Sequence, residues 1–162
     1  MSDEYFAGLF DGEGCVSVGR NAKKPNAFTC KATMAMTVLR PLLELKEKYG
    51  GGIYEKKRSN PKWKDVWVWD LTGPNLVKFL KAILPYSLIK NEQIRLALRI
   101  KELTEVYKAR NYYKKENKKG YFMGSKTGFT KEEIDERNNI LNQMHFLNMR
   151  GKDPYEKTGI IN

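Results

Sequence analysis

The chain has 162 residues, of which 30 are Lys or Arg and 19 are Asp or Glu, and its formal net charge at pH 7 is +11. This length predicts one domain with a substantial core, and the charge predicts a polyanionic partner, although a basic membrane-surface protein would carry the same charge. The sequence shows no membrane-spanning apolar run and no signal segment. Its two cysteines are too few for a disulfide framework or a tetrahedral zinc site. Together these features favour an intracellular setting (cytoplasm, nucleoid or organelle) over secretion.

The first predicted element is a short helix that covers residues 6–14. Ser2 is a suitable N-cap for it. Ala7 and Gly8 give this helix a patch with almost no side chain, where a second backbone can approach closely. On its own, the segment is equally typical of an ordinary amphipathic helix that ends on a glycine.

The end of this helix carries a carboxylate between two glycines. Gly12 and Gly14 predict flexible or positive-φ positions just past the last turn, and Glu13 lies between them. Backbone geometry, rather than a long loop, would then present Glu13 at the helix end. This is a suitable arrangement for a metal ligand.

Two strands are predicted next, at residues 15–20 and 27–38, with a Lys-, Pro- and Asn-rich turn at 21–26. The second strand alternates strictly, with apolar side chains on one side and mostly Thr and Lys on the other. This period of two predicts one covered and one open face. At about 3.3 Å per residue the strand reaches roughly 35–40 Å, about one turn of duplex DNA. An ordinary half-exposed sheet without a ligand remains the alternative.

The remaining predicted elements follow in chain order. They are a helix from Arg40 to Tyr49, strands at 53–58 and 63–71 joined by a turn at 59–62, and a helix that follows Gly73 and Pro74 and is broken by Pro85. A long helix from Lys90 to 107 or as far as 115 comes next, followed by an exposed loop at 114–128, a final helix opened by a capping box of Thr130 and Glu133, and an irregular tail after 151. In the strand at 63–71, Trp67 and Trp69 alternate with two valines. We favour a core position for these tryptophans over a base-stacking role.

Positive charge is concentrated in the predicted strands and turns. Residues 19–64 contain twelve Lys or Arg and three acids, and residues 108–131 contain eight and one, which predicts a second contact patch. Such runs are often only solvated faces, and membrane binders usually carry them on an amphipathic helix. Their place on a long sheet favours DNA. The predicted DNA-binding residues are Ser17, Arg20, Lys23, Lys24, Thr29, Lys31, Thr33, Lys56, Lys57, Arg58, Lys62 and Lys64.

Residues 6–14 resemble the nine-residue motif of the LAGLIDADG homing endonuclease family, with departures at Phe6, Phe10, Gly12 and Glu13. The resemblance implies an α+β fold: an αββαββα core with a four-stranded antiparallel, saddle-shaped sheet and extra C-terminal helices. It implies one domain over residues 1–162, with the core at about 1–115, a helical extension at 116–150 and a polar tail.

The same resemblance implies an assembly. The motif occurs once in the chain, and single-motif members are homodimers whose motif helices pack together on the two-fold axis. Ala7, Gly8 and Asp11 would lie at that interface.

The resemblance also implies site residues. Glu13 falls on the acidic place that binds the catalytic divalent ion, with the carbonyl of Gly12 as a second oxygen ligand, and such an oxygen-only site suits Mg²⁺. Lys90 falls on the basic residue near the scissile phosphate; without the resemblance it is a plain surface lysine at a helix start. Arg40 and Thr37 fall near places that often hold Arg and Gln, and Thr37 departs from the glutamine.

The sequence is therefore interpreted as a homodimeric, Mg²⁺-dependent, site-specific DNA endonuclease of the homing type. It would make a double-strand break at a long, near-palindromic target by phosphodiester hydrolysis. Two alternatives remain: an RNA maturase that assists intron splicing, and a DNA-binding regulator that has lost catalysis.

Overall fold

The computed structural model describes residues 1–21, 24–60, 62–114, 122–125 and 129–149. The helices in these ranges are α1 (Asp3–Glu13), α2 (Arg40–Tyr49), α3 (Gly73–Ile83), α4 (Asn91–Asn111) and α5 (Lys131–Leu147). The strands are β1 (Gly14–Asn21), β2 (Lys24–Met36), β3 (Gly52–Lys56), β4 (Val66–Leu71), β5 (Tyr112–Lys114) and β6 (Phe122–Ser125). The first seven elements confirm the predicted αββαββα order, and the fold class is α+β.

The main sheet is antiparallel, with the strand order β1-β2-β4-β3. The predicted alternation in β2 is confirmed, because Cys30, Ala32 and Met34 are buried while Thr29 and Ala35 are exposed. Helices α1, α3 and α4 cover the buried face, and they form one core with it. The opposite face of the sheet, called the open face below, carries the polar row of β2.

The tryptophans of β4 lie on the covered face, as predicted. Trp69 is fully buried, packs edge-on against Phe79 at 5.1 Å between ring centroids, and donates from Nε1 to the carbonyl oxygen of Gly50 at 2.9 Å. Trp67 is half-buried and packs against the same core. Gly51 has φ +94°, and a Cβ there would lie 2.4 Å from the carbonyl oxygen of Asp70. Only glycine therefore fits where the chain passes so close to β4.

Gly14 is glycine for a different reason from the one predicted. Helix α1 continues through Glu13 and Gly14 begins β1 directly, with an ordinary φ of −86°. A Cβ on Gly14 would lie 2.2 Å from the ring of Phe10. The residue therefore makes room for a core aromatic rather than for a left-handed turn. Gly12 lies inside the helix and also has no positive φ.

Several strand boundaries differ from the sequence predictions. β1 extends to Asn21 and β2 runs from Lys24 to Met36, so both strands reach into the predicted turn at 21–26, while β3 and β4 are shorter than predicted and leave a connection at 57–65. The predicted loop at 114–128 contains strand β6, which pairs with β5. Aromatic and β-prone side chains at both strands outweighed the Lys- and Gly-rich composition on which the loop prediction rested.

The C-terminal helix begins as predicted. The Thr130 hydroxyl accepts a hydrogen bond from the backbone N–H of Glu133, whose carboxylate accepts from the N–H of Thr130. The predicted tail after residue 151 lies outside the described residues. Within the described part of the chain, no helix combines the length and the apolar character that crossing a membrane requires.

Candidate functional site

The junction of α1 and β1 presents a carboxylate without an intervening loop. Glu13 is the last residue of α1, its side chain is exposed, and it makes no hydrogen bond or ion pair with any residue that the structure describes. The backbone N–H of Gly14 still bonds to the carbonyl oxygen of Phe10, which holds the helix end in place. The helix thus holds the backbone of Glu13 in place, and the Glu13 carboxylate is free to bind a ligand.

Asp11, two residues earlier, is buried and fixes the start of another helix. Its carboxylate accepts hydrogen bonds from the hydroxyl of Ser87 at 2.6 Å and from the backbone N–H groups of Leu88, Ile89 and Lys90 at 2.7, 3.1 and 3.0 Å. These donors lie just before α4, where N–H groups lack partners within the helix. Asp11 therefore joins the end of α1 to the start of α4.

These bonds also set the charge state of Asp11. Burial by itself would raise the pKa of this carboxyl, but the hydroxyl of Ser87 and the three backbone N–H groups stabilise the anion, and the net pKa lies below its ordinary value. Asp11 is consequently an anion that is fully engaged within its own chain. This engagement makes it a poor choice as a direct metal ligand.

The same connection places Lys90 at the end of α1. Its ammonium group donates to the carbonyl oxygen of Asp11, and its backbone N–H donates to the Asp11 carboxylate. A cation is unfavourable at the start of α4, but it is favourable at the carbonyl end of α1, which is where this ammonium lies. The ammonium group of Lys90 thus binds a backbone carbonyl oxygen that lies two residues before Glu13 in α1.

Thr37 and Arg40 are less closely tied to this cluster. Thr37 follows β2 and is exposed; Arg40 opens α2, with 84% of its side chain exposed and an ion pair to Glu44 at 3.5 Å. Both lie at the sheet end where β1 begins, because Met34 pairs with Gly14. Neither forms a hydrogen bond or ion pair with Glu13 or Lys90 among the described residues.

Of the residues predicted for the dimer interface, Gly8 is the exposed one. Ala7 is fully buried in its own core and Asp11 is engaged as described, so neither offers side-chain surface to a second chain. A Cβ added at Gly8 or Gly12 would meet no atom within 4 Å. Since the two glycines are four residues apart, they form one bare stripe on α1.

The open face carries most of the predicted DNA-binding residues that lie in strands. Ser17 pairs with Lys31, and Thr33 pairs with both Cys15 and Asp70. Lys31 and Asp70 form an ion pair across β2 and β4 at 2.8 Å, and the hydrogen bond to Asp70 raises the pKa of Lys31. The centre of the face therefore offers a fixed cation beside a fixed acceptor.

Other predicted DNA-binding residues lie elsewhere. Arg20 alternates with the buried Val16 and Val18, which puts it on the helix-covered side of β1, and its guanidinium donates to Asn138 of α5 at 2.7 Å. Lys57, Arg58, Lys62 and Lys64 lie in the connection at 57–65, whereas Lys56, just before it, pairs with Val66 and lies by register on the open face. Lys23 lies outside the described residues, as do the side chain of Lys24 and much of the predicted patch at 108–131.

Two site residues were missed by sequence reasoning. Ser87 is nearly fully buried against Asp11, but no local pattern pairs positions 76 residues apart. Asp70 could have been noticed as an acid in an otherwise basic region, although large apolar groups on both sides of the strand at 63–71 hid the open face there.

Comparison with known proteins adds a family and a fold. The model of the LAGLIDADG-like domain family matches residues 2–84, more than half of the chain. No curated protein matches the chain.

Several solved structures share the fold. The structure of an archaeal intron-encoded homing endonuclease, I-Vdi141I, complexed with DNA, is 15% identical with a TM-score of 0.62 over 94% of this chain and 87% of that one. The homing endonuclease I-CvuI, in complex with its target in the presence of calcium, is 18% identical with a TM-score of 0.61 over 93% and 83%. The homing endonuclease I-TnaI is 17% identical with a TM-score of 0.61 over 97% and 92%.

Proposed function

The chain belongs to the LAGLIDADG-like domain family, and from this premise we propose that it is a homodimeric, divalent-metal-dependent endonuclease that cuts duplex DNA at a long, near-palindromic site. The observation that carries the proposal is the link from Asp11 to residues 87–90, which brings the ammonium of Lys90 to the helix end that presents Glu13. A carboxylate and a cation at one helix end, beside a sheet with a polar open face, suit hydrolysis of a phosphodiester.

The residues at this helix end fit a hard divalent cation. Glu13 is exposed, and no other described residue competes for its carboxylate. The described part of the chain contains no cluster of three or more His, Cys, Asp or Glu that could hold a metal alone. The site would therefore be completed by groups from outside the chain: a second Glu13, phosphate oxygens and water. The carbonyl of Gly12 would be the further protein ligand.

A bound Mg²⁺ would neutralise charge on the phosphate and make a water molecule more acidic. Glu13 would hold the ion, and the Lys90 ammonium would stabilise the negative charge that develops on the phosphate oxygens. Asp11 would act at a distance from the phosphate by fixing the backbone and the ammonium of Lys90. The hydrogen bonds that join residues 87–90 to Asp11, called the Asp11 cluster below, support the roles of Asp11 and Lys90, and membership of the family supports the role of Glu13.

A second copy of the chain is favoured by the surface around α1. The bare stripe of Gly8 and Gly12 is exposed, so the backbones of two such helices could pack closely. Beside it, Leu88 and Ile89 are 87% and 64% exposed, yet their N–H groups are held on Asp11. Large apolar side chains on a rigid segment next to a small-residue helix are typical of a protein interface. Dimerisation through this surface would bring two Glu13 carboxylates together.

The direct test is selection of cleaved sequences from a duplex library, with Mg²⁺ or with EDTA. Discrete cuts that require Mg²⁺ would establish the nuclease and its target together. Specific binding without cutting would overturn the nuclease and leave the regulator, and preferential binding of intron RNA over duplex would favour the maturase.

A thiol probe tests whether the open face binds DNA. Cys15 is exposed on this face, whereas Cys30 is buried and burial raises the pKa of its thiol to about 11. A maleimide at neutral pH is therefore expected to modify Cys15 alone, and saturating duplex DNA should slow that reaction at least tenfold. Mass spectrometry of the labelled protein measures both, with Cys15→Ser as the control. An unchanged labelling rate with bound DNA would show that DNA binds elsewhere.

Asp70 gives a prediction about sequence specificity. A carboxylate accepts from the amino groups of cytosine or adenine, and Asp70 also holds Lys31. Asp70→Asn is expected to tighten non-specific binding a fewfold, because it removes a negative charge, and to relax base preference at one symmetric pair of target positions. Site selection with this variant measures the change. Glu47→Gln, the same charge change at an exposed position of α2, is the control and should leave the preference intact.

A further inference from the structure

The connection between β3 and β4 presents an aromatic side chain that the proposed catalytic chemistry does not use. Trp63 is 64% exposed, whereas Trp69 is fully buried and Trp67 is half-buried. Tryptophan side chains are highly buried on average, and an exposed indole offers a large apolar surface with one N–H donor to a partner. The hydrogen bonds and charges around Trp63 indicate which partner this is.

The connection at 57–65 is held by its own hydrogen bonds. The carboxylate of Asp65 accepts from the backbone N–H of Arg58 at 2.9 Å and pairs with Lys57 at 3.0 Å, and these contacts lower the pKa of Asp65. At the tip, Asn60 accepts from the N–H of Lys62 through its side chain and from the N–H of Trp63 through its carbonyl, both at 3.0 Å. The backbone N–H that precedes the indole is therefore held by Asn60.

The charge around Trp63 is complementary to a polyanion. Lys62 and Lys64 flank it directly, and Lys56, Lys57 and Arg58 lie on the incoming strand and turn. The two nearby acids, Glu55 and Asp65, are both paired with Lys57. Lys56, Lys62 and Lys64 form no ion pair with any carboxylate that the structure describes, so their charges are available to phosphates.

The connection also lies at the same end of the sheet as Glu13. Val66 and Lys56 pair at the sheet end reached by Met36, and Gly14, next to Glu13, pairs with Met34 near the same end. The connection thus projects from the end of the sheet at which β1 leaves α1. A duplex that lies along the open face and reaches Glu13 is within reach of this tip.

We propose that Trp63 is an aromatic contact to duplex DNA, packing its indole against deoxyribose and base edges while the flanking lysines neutralise phosphates. This inference rests on the proposed DNA-binding function. Its signature is non-ionic: the indole adds apolar contact without releasing counterions, whereas each lysine adds a salt-dependent contribution. The two kinds of contact can therefore be separated by their response to salt.

The experiment uses the full chain and a mixed-sequence duplex as the probe. Acrylamide quenching of tryptophan fluorescence is measured with and without saturating DNA, and Trp63→Phe identifies the contribution of Trp63. We expect DNA to remove most of the accessible quenching. Trp63→Ala should weaken binding roughly tenfold with an unchanged slope of log Kd against log salt, and Trp63→Phe should restore most of the affinity. Lys64→Ala should weaken binding and reduce that slope by about one.

The outcomes separate the inference from the function on which it rests. Wild-type chain that binds no duplex would overturn the proposed function. Wild-type binding with Trp63 still open to acrylamide, and an unchanged Kd for Trp63→Ala, would overturn the inference alone. Sedimentation without DNA tests a second copy of the chain as the occupant: loss of self-association in Trp63→Ala would assign the indole to a protein interface and also reject DNA contact.

Discussion

Replacement of Glu13 by Gln is expected to abolish DNA cleavage, lowering the single-turnover rate in Mg²⁺ by roughly 10³-fold or more. The amide has nearly the same shape but no charge with which to hold a divalent cation. Because Glu13 is exposed and unpaired among the described residues, folding and duplex binding should be preserved. The measurement is cleavage of a target obtained by library selection, with binding followed separately by gel shift.

Glu47→Gln is the matched control, since it removes one exposed helical carboxylate next to Lys48, which pairs with Asp3 at the opposite end of α1 from Glu13, and it should leave the rate within twofold. Mixing differently tagged wild-type and Glu13→Gln chains extends the test. If one Glu13 from each subunit serves one strand, purified mixed dimers should nick the duplex without breaking both strands. Full double-strand cleavage by Glu13→Gln homodimers would contradict the metal role assigned to this carboxylate.

The elements of the fold were predictable because their signals are local. Strict alternation in β2 predicted which face is covered, and the pairing of Thr130 with Glu133 predicted the start of α5. The pairing of β5 with β6 was not predictable in this way, because the Lys- and Gly-rich composition of residues 114–128 is typical of a loop. Gly14 shows a subtler limit: a glycine was expected, but its cause, the ring of Phe10 four residues earlier, depends on packing.

The site was predictable only in part, and for a physical reason. Glu13 and Lys90 could be named from motifs, but the bonds that bring the two segments together join residues about 77 positions apart. No periodicity encodes such a contact. The role of Asp11 as the joint between two helices becomes visible only when Leu88, Ile89 and Lys90 are seen to share one carboxylate.

The link that Asp11 makes between α1 and α4 is the basis of a second prediction with a large expected effect. Asp11→Asn is expected to destabilise the fold by about 2–4 kcal/mol and to lower the cleavage rate more than the affinity for DNA. The carboxylate accepts from four donors, whereas the amide has one oxygen and turns an N–H₂ group toward them, leaving buried donors unpaired. Chemical denaturation measures the stability, and single-turnover kinetics on the selected target measures the rate.

The pH dependence adds an independent signature. Because the folded pKa of Asp11 lies below its ordinary value of about 3.9, the unfolded chain binds this proton more readily. The stabilisation is therefore complete above the unfolded pKa, and it is lost as the pH falls through the lower folded pKa. Wild type should lose this contribution in acid, while Asp11→Asn should lack it at every pH. The difference in stability between the two should accordingly shrink below about pH 4.

Two variants show whether the effect belongs to the Asp11 cluster. Ser87→Ala removes one of the four donors and should cost about 1 kcal/mol, with a small loss of rate. Asp135→Asn makes the same chemical change on the exposed face of α5 and should stay within about 0.5 kcal/mol of wild type. If Asp11→Asn cut DNA at the wild-type rate despite its lost stability, Lys90 would not need its anchor. The link between the two helices would then be structural only, and the case for Lys90 at the phosphate would lose its main support.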